Sequence, residues 1–142
     1  MIEFEITNQA NEEVAKIIYN GFDKYAKQNE IHCNYKKFNF IAKDKNKIVG
    51  ILEGHSYYDE VHIENLIVLK EYRHQNIGSM LLKKVEEHYK NENIDNFNLT
   101  TYEFQAPKFY EKMGYTLEFV RKNSRNPKLN KYYYSKKIVP EN

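Results

Sequence analysis

The chain has 142 residues, a formal net charge of +2 and 41% hydrophobic residues, which is the composition of one globular domain with a proper core. The near-neutral charge argues against a nucleic-acid-binding protein, and no apolar run approaches the length of a membrane span. A single cysteine excludes an internal disulfide, and the first residues lack the basic and apolar regions of a signal peptide. We therefore expect a single cytoplasmic domain over residues 1–142.

The first half of the chain predicts a strand, a helix and then three more strands. Ile2–Ile6 alternates apolar and acidic residues, as a short strand does. Apolar residues then recur at helical spacing, with Thr7 or Asn8 as the predicted helix cap and Asn29 near the end. The three strands that follow are Lys37–Lys43, Ile48–Tyr57 and Val61–Val68, the first two joined by a hairpin turn at residues 44–47.

The second half predicts helices that alternate with strands. An amphipathic helix begins near Ile77, and Pro107 suits the first turn of another helix, for which Gly114 is the C-terminal stop. The remaining strands are Phe97–Thr101, Tyr115–Arg121 and Tyr132–Ile138. The predicted fold is a mixed α/β fold with about seven strands and three to four helices, in the order β-α-β-β-β-α-β-α-β-β.

Residues 68–82 are the most informative stretch, because a strand that ends at Val68 leads through Arg73 into a helix. The spacing is Val-x4-Arg-x2-Asn-x-Gly, with Asn76 and Gly78 at its end. It directs several backbone N–H groups and a helix N-terminus at one point, where a phosphate or pyrophosphate is held. An ordinary strand-to-helix turn that contains a glycine would have the same spacing, so the residues alone leave both interpretations open.

With its flanks, this stretch resembles the acyl-CoA-binding motif of the GNAT superfamily of N-acetyltransferases, Val-x4-Arg/Gln-x-x-Gly-x-Gly/Ala. Val68, Arg73 and Gly78 match, and Asn76 stands in place of the first glycine. Asparagine tolerates a left-handed backbone better than other residues after glycine, so the loop can form. A second stretch is similar to the family segment Asn-x-x-Ala-x-x-Leu/Phe-Tyr-x-x-x-Gly-Phe/Tyr. Its matching residues are Ala106, Phe109, Tyr110, Gly114 and Tyr115.

The resemblance covers residues 2–138 and implies the GNAT fold, with a sheet splayed between its fourth and fifth strands. It also implies that acetyl-CoA is the acetyl donor, with its pantetheine arm held by the backbone of Leu66, Ile67 and Val68 and with the Val68 N–H as an oxyanion donor. Gln105 either bonds this arm or helps to cap the helix, and both remain open. The implied pyrophosphate-binding residues are Arg73, His74, Gln75, Asn76, Ile77, Gly78 and Ser79.

The catalytic candidates are Tyr110, His62 and Glu64. Tyr110 falls on the motif tyrosine that in the family lies near the CoA sulfur, so we expect it to donate a proton to the thiolate; packing beside Phe109 is the alternative. His62 and Glu64 alternate with Ile63 and therefore point to the same face of their strand. We predict His62 as the general base and Glu64 as the anchor of the substrate ammonium, although both could simply line the solvated face of the sheet.

The sequence therefore predicts an acetyl-CoA-dependent N-acetyltransferase that acts on the primary amine of a small molecule, by direct transfer in a ternary complex. The alternatives are acetylation of a protein N-terminus or lysine, and an acyl-CoA-binding sensor without turnover. Asn76 and Glu103, where family members have Gly and Asn, leave room for the sensor.

The histidine spacing, the charge distribution and the tyrosine run bear on which other partners the protein has. No metal is expected, because the histidines share no metal-ligand spacing with nearby acids, and no nucleic-acid or membrane partner is expected. Residues 119–140 contain basic residues and no acid, which indicates an edge strand kept soluble by lysine or the attraction of an acidic substrate or cofactor phosphates. The tyrosine run at residues 132–134 is consistent with a homodimer through the last strands.

Overall fold

A computed structural model of the chain describes residues 1–138. Residues 1–33 form one compact unit, and the chain from Asn34 onward forms a second. The single domain predicted from the sequence stays a prediction. None of the helices in residues 1–138 combines the length and the apolar character that a membrane span requires.

The first unit contains one helix, α1, which spans Glu12–Gln28. Its cap is Asn11, whose side-chain oxygen accepts the N–H of Glu13 at 2.8 Å. The predicted caps at Thr7 and Asn8 were wrong, because the chain does not turn helical until the two acids that follow Asn11. Those acids interact favourably with the positive end of the helix dipole.

The strand predicted at Ile2–Ile6 is not found, and residues 1–138 contain six strands rather than about seven. Residues 2–6 adopt no regular secondary structure. Alternation of apolar and polar residues is not sufficient, because a strand needs a partner for its backbone N–H and C=O groups.

The second unit is built on one mixed sheet with the strand order β1-β2-β3-β4-β6-β5. Neighbouring strands are antiparallel, except that β3 and β4 run parallel. Apart from the missing first strand, the order of elements is the predicted one. The strands are β1 Lys36–Asp44, β2 Lys47–Tyr57, β3 Glu60–Val68, β4 Asn96–Tyr102, β5 Thr116–Arg121 and β6 Lys131–Lys137, and the helices are α2 Ile77–Tyr89 and α3 Pro107–Lys112.

The two helices of this unit share one hydrophobic core with the sheet. Helix α2 buries Leu82 and Val85 completely, and Val61 of β3 is fully buried with them. Tyr110 of α3 and Tyr134 of β6 belong to the same cluster, so α2 and α3 lie on the same face of the sheet. Side chains that alternate with these buried residues along the strands therefore point to the other face.

A β-bulge in β3 opens the sheet. Glu53 pairs with Asn65 and Gly54 pairs with Ile63, which leaves Glu64 as an extra residue in β3. A bulge bends its strand and increases the local twist. The parallel ladder between β3 and β4 ends at Ile63 and Leu99, immediately before the bulge. Beyond that point β3 and β4 diverge, and this gap is the splay that the resemblance implied.

Candidate active site

Two residues of β3 present their backbone N–H and C=O groups to the gap between β3 and β4. The N–H of Leu69 donates to the carbonyl of Val49 at 2.8 Å, which makes this pair a hydrogen-bonded pair of the antiparallel ladder. Hydrogen-bonded and non-bonded pairs alternate along such a ladder. Ile67 therefore bonds β2, whereas the backbone groups of Leu66 and Val68 point away from β2, toward the gap that β4 has left.

A cleft of 540 Å³ begins at this gap and extends between β3, the start of α2, and α3. We call it the basic cleft, because its lining contains Arg73, His74 and Lys112 and no Asp or Glu. A lining of this charge attracts an anionic group. Its other lining residues are Leu66, Val68, Tyr72, Asn76, Ile77, Gly78, Ser79, Ala106, Phe109 and Tyr110.

The loop before α2 has the backbone that phosphate binding requires. His74 and Asn76 both have left-handed conformations, with φ values of 65° and 62°. Met80 makes the first hydrogen bond of the helix, to the carbonyl of Asn76. The N–H groups of the first turn therefore have no partner inside the helix and are available to an anion in the basic cleft.

Arg73 is oriented by the strand that precedes it. Its Nε donates to the carbonyl oxygen of Val68 at 3.2 Å. This contact leaves the terminal nitrogens of the guanidinium available to a ligand in the basic cleft. A guanidinium is suited to phosphate because its donors match the spacing of two phosphate oxygens.

Gly78 provides a test of whether a large ligand fits the basic cleft. A Cβ at this position would lie 3.7 Å from Phe109 and 3.8 Å from Val68, which is ordinary van der Waals contact. The protein itself therefore has room for a side chain here. The absence of one leaves the first turn of α2 open to close approach, as a pyrophosphate group needs.

Tyr110 lies in the wall of the basic cleft and is buried. Its ring packs edge-on against Tyr115 at 5.9 Å and tilted against Tyr134 at 6.3 Å. Burial raises the pKa of the Tyr110 phenol to about 12. The phenol is therefore protonated throughout the physiological pH range and has a hydrogen to donate.

A second cavity, of 390 Å³, lies on the other face of the sheet, over the paired part of β3 and β4 and the neighbouring β6. We call it the acid-bearing cavity, because its lining contains Glu60 and Glu118. Its third charged residue, Lys137, is paired with Asp95 at 2.7 Å. The remaining lining residues are His62, Asn96, Asn98, Leu99, Thr100, Tyr133, Tyr134 and Ser135.

His62 is half-buried in the wall of this cavity and is held from β4. Its Nδ1 lies 2.7 Å from Oδ1 of Asn98, the residue opposite it in the parallel ladder. The Asn98 amide nitrogen donates to Oδ1 of Asn96 at 2.8 Å and to Glu60 at 3.5 Å. These contacts connect His62 to a row of polar side chains on one face of the sheet.

Glu64 is close to a histidine, but that histidine is not His62. Its Oε1 lies 2.6 Å from Nδ1 of His55, which is opposite His62 on β2. The rings of His55 and His62 are 5.4 Å apart. Glu64 thus lies on the His62 face, but it does not line the acid-bearing cavity.

Comparison with known proteins places the chain in a family. The model of the Acetyltransferase (GNAT) family matches residues 7–115, which is most of the chain. The protein belongs to the GNAT acetyltransferase family. The family match includes β3, the loop at Arg73, α2 and the whole of α3, so it covers every element of the basic cleft.

Relatives of this GNAT protein agree with that assignment. An uncharacterised N-acetyltransferase of Methanocaldococcus jannaschii is 36% identical over 81 residues, which are 54% of this chain and 51% of that protein. Blasticidin-S acetyltransferase of Streptomyces morookaense is 31% identical over 79 residues, or 55% of this chain and 58% of that protein. The chain thus spans about half the length of the curated relatives it matches.

Solved structures show the same fold. An acetyltransferase from Bacillus cereus has a TM-score of 0.75 at 25% identity, covering 94% of this chain and 97% of that one. An aminoglycoside 6'-N-acetyltransferase complexed with coenzyme A has a TM-score of 0.66 at 17% identity, covering 92% and 89%. The mixed α/β fold predicted from the sequence is therefore confirmed.

Not every residue predicted to bind the cofactor lines the basic cleft of this GNAT protein. Ile67 is exposed on the other side of β3, and Gln75 lines a different pocket, against β1. The side-chain oxygen of Gln105 accepts the N–H of Tyr102 at 3.1 Å, so this side chain serves a local turn outside the basic cleft. Helix α3 has no side-chain cap, so the contact supports neither of the two roles that the sequence left open for Gln105.

Sequence reasoning also missed residues that belong to the candidate site. Lys112 and Tyr72 line the basic cleft, and Asn98 contacts His62. No sequence signal distinguishes Lys112 from a surface lysine. In residues 1–138, no three His, Cys, Asp or Glu side chains are grouped so that they could hold a metal ion.

Proposed function

We propose that this protein is an N-acetyltransferase that uses acetyl-CoA as donor and the primary amine of a small, positively charged molecule as acceptor. The observation that supports it most is the contrast of charge between the two faces of the sheet. A cleft with basic residues and no acid opens on one face, and a cavity with two carboxylates opens on the other. The donor is an anion and an amine is a cation at neutral pH, so each side attracts one substrate.

At the donor side, Arg73 and the first-turn N–H groups of α2 would bind the pyrophosphate of the bound donor. The backbone groups of Leu66 and Val68 would hydrogen-bond the pantetheine arm, and the Val68 N–H would stabilise the oxyanion. Acetyl-CoA supplies an activated thioester when it is bound. Lys112 adds positive charge to the wall of the same cleft.

Tyr110 would assist the departure of the thiolate. Complete proton transfer from a phenol with a pKa of about 12 to an ordinary thiolate, whose thiol has a pKa of about 8.5, is uphill by roughly 5 kcal/mol. Tyr110 therefore acts chiefly as a hydrogen-bond donor to the developing charge, and solvent supplies the final proton.

At the acceptor side, His62 would take a proton from the ammonium group, as the sequence predicted. Glu64 is bonded to His55, so the positive charge of the acceptor is met by Glu60 and Glu118 instead. The two openings lie on opposite faces of the sheet and share no lining residue, so both substrates can be bound at once. This arrangement supports direct transfer in a ternary complex.

A small-molecule acceptor fits the size of the acid-bearing cavity, and the blasticidin-S and aminoglycoside acetyltransferases named above are similar to this chain. The basic residues Arg121 and Arg125 do not line this cavity. A carboxylate-bearing acceptor is therefore less suited to it than a cationic one. Homodimer formation and a cytoplasmic location stay predictions.

The test is thiol release from acetyl-CoA in the presence of monoamines, diamines, polyamines, aminoglycosides and peptides. We expect turnover with at least one small cationic amine, and initial rates that follow an intersecting pattern rather than the parallel lines of a covalent acetyl-enzyme. Tight acetyl-CoA binding without turnover on any amine would instead identify a sensor. Turnover on peptides alone would identify a protein acetyltransferase.

Replacing Tyr110 by phenylalanine should lower kcat by about 10- to 100-fold, because it removes one donor to the developing thiolate. The KM for acetyl-CoA should change little, since the ring remains in place. The matched control is Tyr115→Phe, because Tyr115 is buried in the same cluster but does not line the basic cleft. Equal kcat values for the two variants, measured by thiol release, would exclude Tyr110 from the chemical step.

A further inference from the structure

The hydrogen bonds around His62 have a direction that can be derived from their ends. Asp95 accepts from Nζ of Lys137 at 2.7 Å and from the Asn96 amide nitrogen at 2.8 Å. The hydrogen bonds from Lys137 and Asn96 lower the pKa of Asp95, so this carboxylate is ionised and can only accept. The amide of Asn96 must therefore present its nitrogen to Asp95 and its oxygen to Asn98.

The same reasoning fixes the orientation of Asn98. Its amide faces two acceptors on one side, Oδ1 of Asn96 at 2.8 Å and a carboxylate oxygen of Glu60 at 3.5 Å. A flipped amide would place its oxygen against both of these acceptors, which is repulsive. Asn98 therefore turns its nitrogen to Asn96 and Glu60 and its oxygen to His62.

The orientation of Asn98 in turn decides which ring nitrogen of His62 carries the proton. Oδ1 of Asn98 lies 2.7 Å from Nδ1 of His62 and has no hydrogen to donate. In the neutral ring, Nδ1 must be the protonated nitrogen, and Nε2 keeps the free lone pair. Free histidine favours the opposite tautomer, with the proton on Nε2.

We propose that Asn98 is a positioning residue, which holds neutral His62 as the Nδ1–H tautomer so that Nε2 can accept the proton of the acceptor ammonium. This inference rests on the proposed function for its kinetic consequence, but the tautomer itself is independent of any activity. The polar row from Lys137 through Asp95, Asn96 and Asn98 thus acts as the support of the base.

Other charged groups surround this base and have to be considered in its pH dependence. Glu60 on β3 and the His55–Glu64 pair on β2 and β3 lie beside it. Glu118 of β5 and Lys137 of β6 line the same cavity. Variants of Asn98 leave all of these groups in place.

The direct test is a long-range ¹H–¹⁵N spectrum of protein with ¹⁵N-labelled histidine. It is recorded at alkaline pH, where an imidazole ring is neutral, and His62→Gln assigns the His62 signals. We expect Nδ1 to be protonated and Nε2 to be unprotonated in the parent. Asn98→Leu removes the acceptor, and His62 should revert to the Nε2–H tautomer. A parent with Nε2–H, or an Asn98→Leu protein that retains Nδ1–H, would overturn the inference.

Kinetics provide the second readout. Asn98→Leu should lower kcat/KM for the amine by about tenfold and leave the KM for acetyl-CoA unchanged. Asn98→Asp retains an acceptor for Nδ1 but places its second oxygen against Asn96 and Glu60, which costs stability. The Nδ1–H tautomer should persist, while the added carboxylate moves the acid limb of the pH profile to higher pH. Asn39→Leu, the same change at an exposed position of β1, is the matched control. It should leave kcat/KM for the amine, the KM for acetyl-CoA, the His62 tautomer and the pH profile unaltered.

Failure of the proposed function and failure of the inference about Asn98 give different results. If the parent shows no thiol release with any amine, the proposed function fails, while the tautomer measured by NMR still tests the role of Asn98. If turnover is normal and Asn98→Leu changes neither the tautomer nor the pH profile, the inference about Asn98 fails alone.

Discussion

Replacing Gly54 by alanine should lower the free energy of unfolding by about 3 kcal/mol or more, the upper range for overpacking a buried position. Gly54 lies opposite the β3 bulge, where an added Cβ would be 2.1 Å from the carbonyl oxygen of His62 and 3.0 Å from the ring of Phe38. The first contact is with backbone and cannot be relieved by a side-chain rotation. Urea denaturation of the parent and the variant measures the loss.

The matched control is Gly50→Ala, on the same strand and also buried. Its Cβ would meet only side-chain atoms of Ile77 and Leu81, at 3.1 and 3.2 Å. These atoms can shift by a few tenths of an ångström, so the loss of stability should be clearly smaller. Equal stability of the two alanine variants would show that the bulge does not depend on the missing side chain of Gly54.

Replacing Gly78 by alanine should weaken acetyl-CoA binding by at least about tenfold without destabilising the fold. The variant should be as stable as the parent or more so. The new Cβ contacts Phe109 and Val68 at ordinary distances, and alanine is the better helix former by about 1 kcal/mol. The methyl group, however, would occupy the wall of the basic cleft where the pyrophosphate approaches. Calorimetric titration gives the affinity, and the upward shift of Tm with added CoA gives an independent estimate.

The control for helix propensity is Gly21→Ala in α1, where a Cβ would have nothing within 4 Å. Both alanine variants should gain helix stability, but only Gly78→Ala should lose affinity. An unchanged dissociation constant in Gly78→Ala would mean that the donor does not approach the first turn of α2.

Local signals in the sequence were sufficient for most elements of the second unit. The β1–β2 hairpin has its turn where it was predicted, with Lys45 at a φ of 56°. Helix α3 begins at Pro107, and Gly114 follows its end with a φ of 90°. Asn76 adopts the left-handed conformation that the phosphate-loop motif requires. Each of these features depends on a few consecutive residues, so a single sequence contains the information.

Features that depend on register could not be predicted in the same way. The bulge at Glu64 exists only as a mismatch between β2 and β3, and neither strand alone shows it. Asn98 meets His62 because two strands pair in parallel across 36 positions of sequence. The strand expected at Ile2–Ile6 failed for the same reason, since its pattern could not reveal that it lacks a partner.

The two carboxylates of the acid-bearing cavity have a consequence for the end of the proposed catalytic cycle. An ammonium group is attracted to Glu60 and Glu118, but acetylation converts it into a neutral amide. The attraction is therefore lost in the same step that forms the product. If the acceptor binds as proposed, this cavity attracts the substrate more strongly than the product, so we expect the acetylated amine to be a weak inhibitor of its own formation.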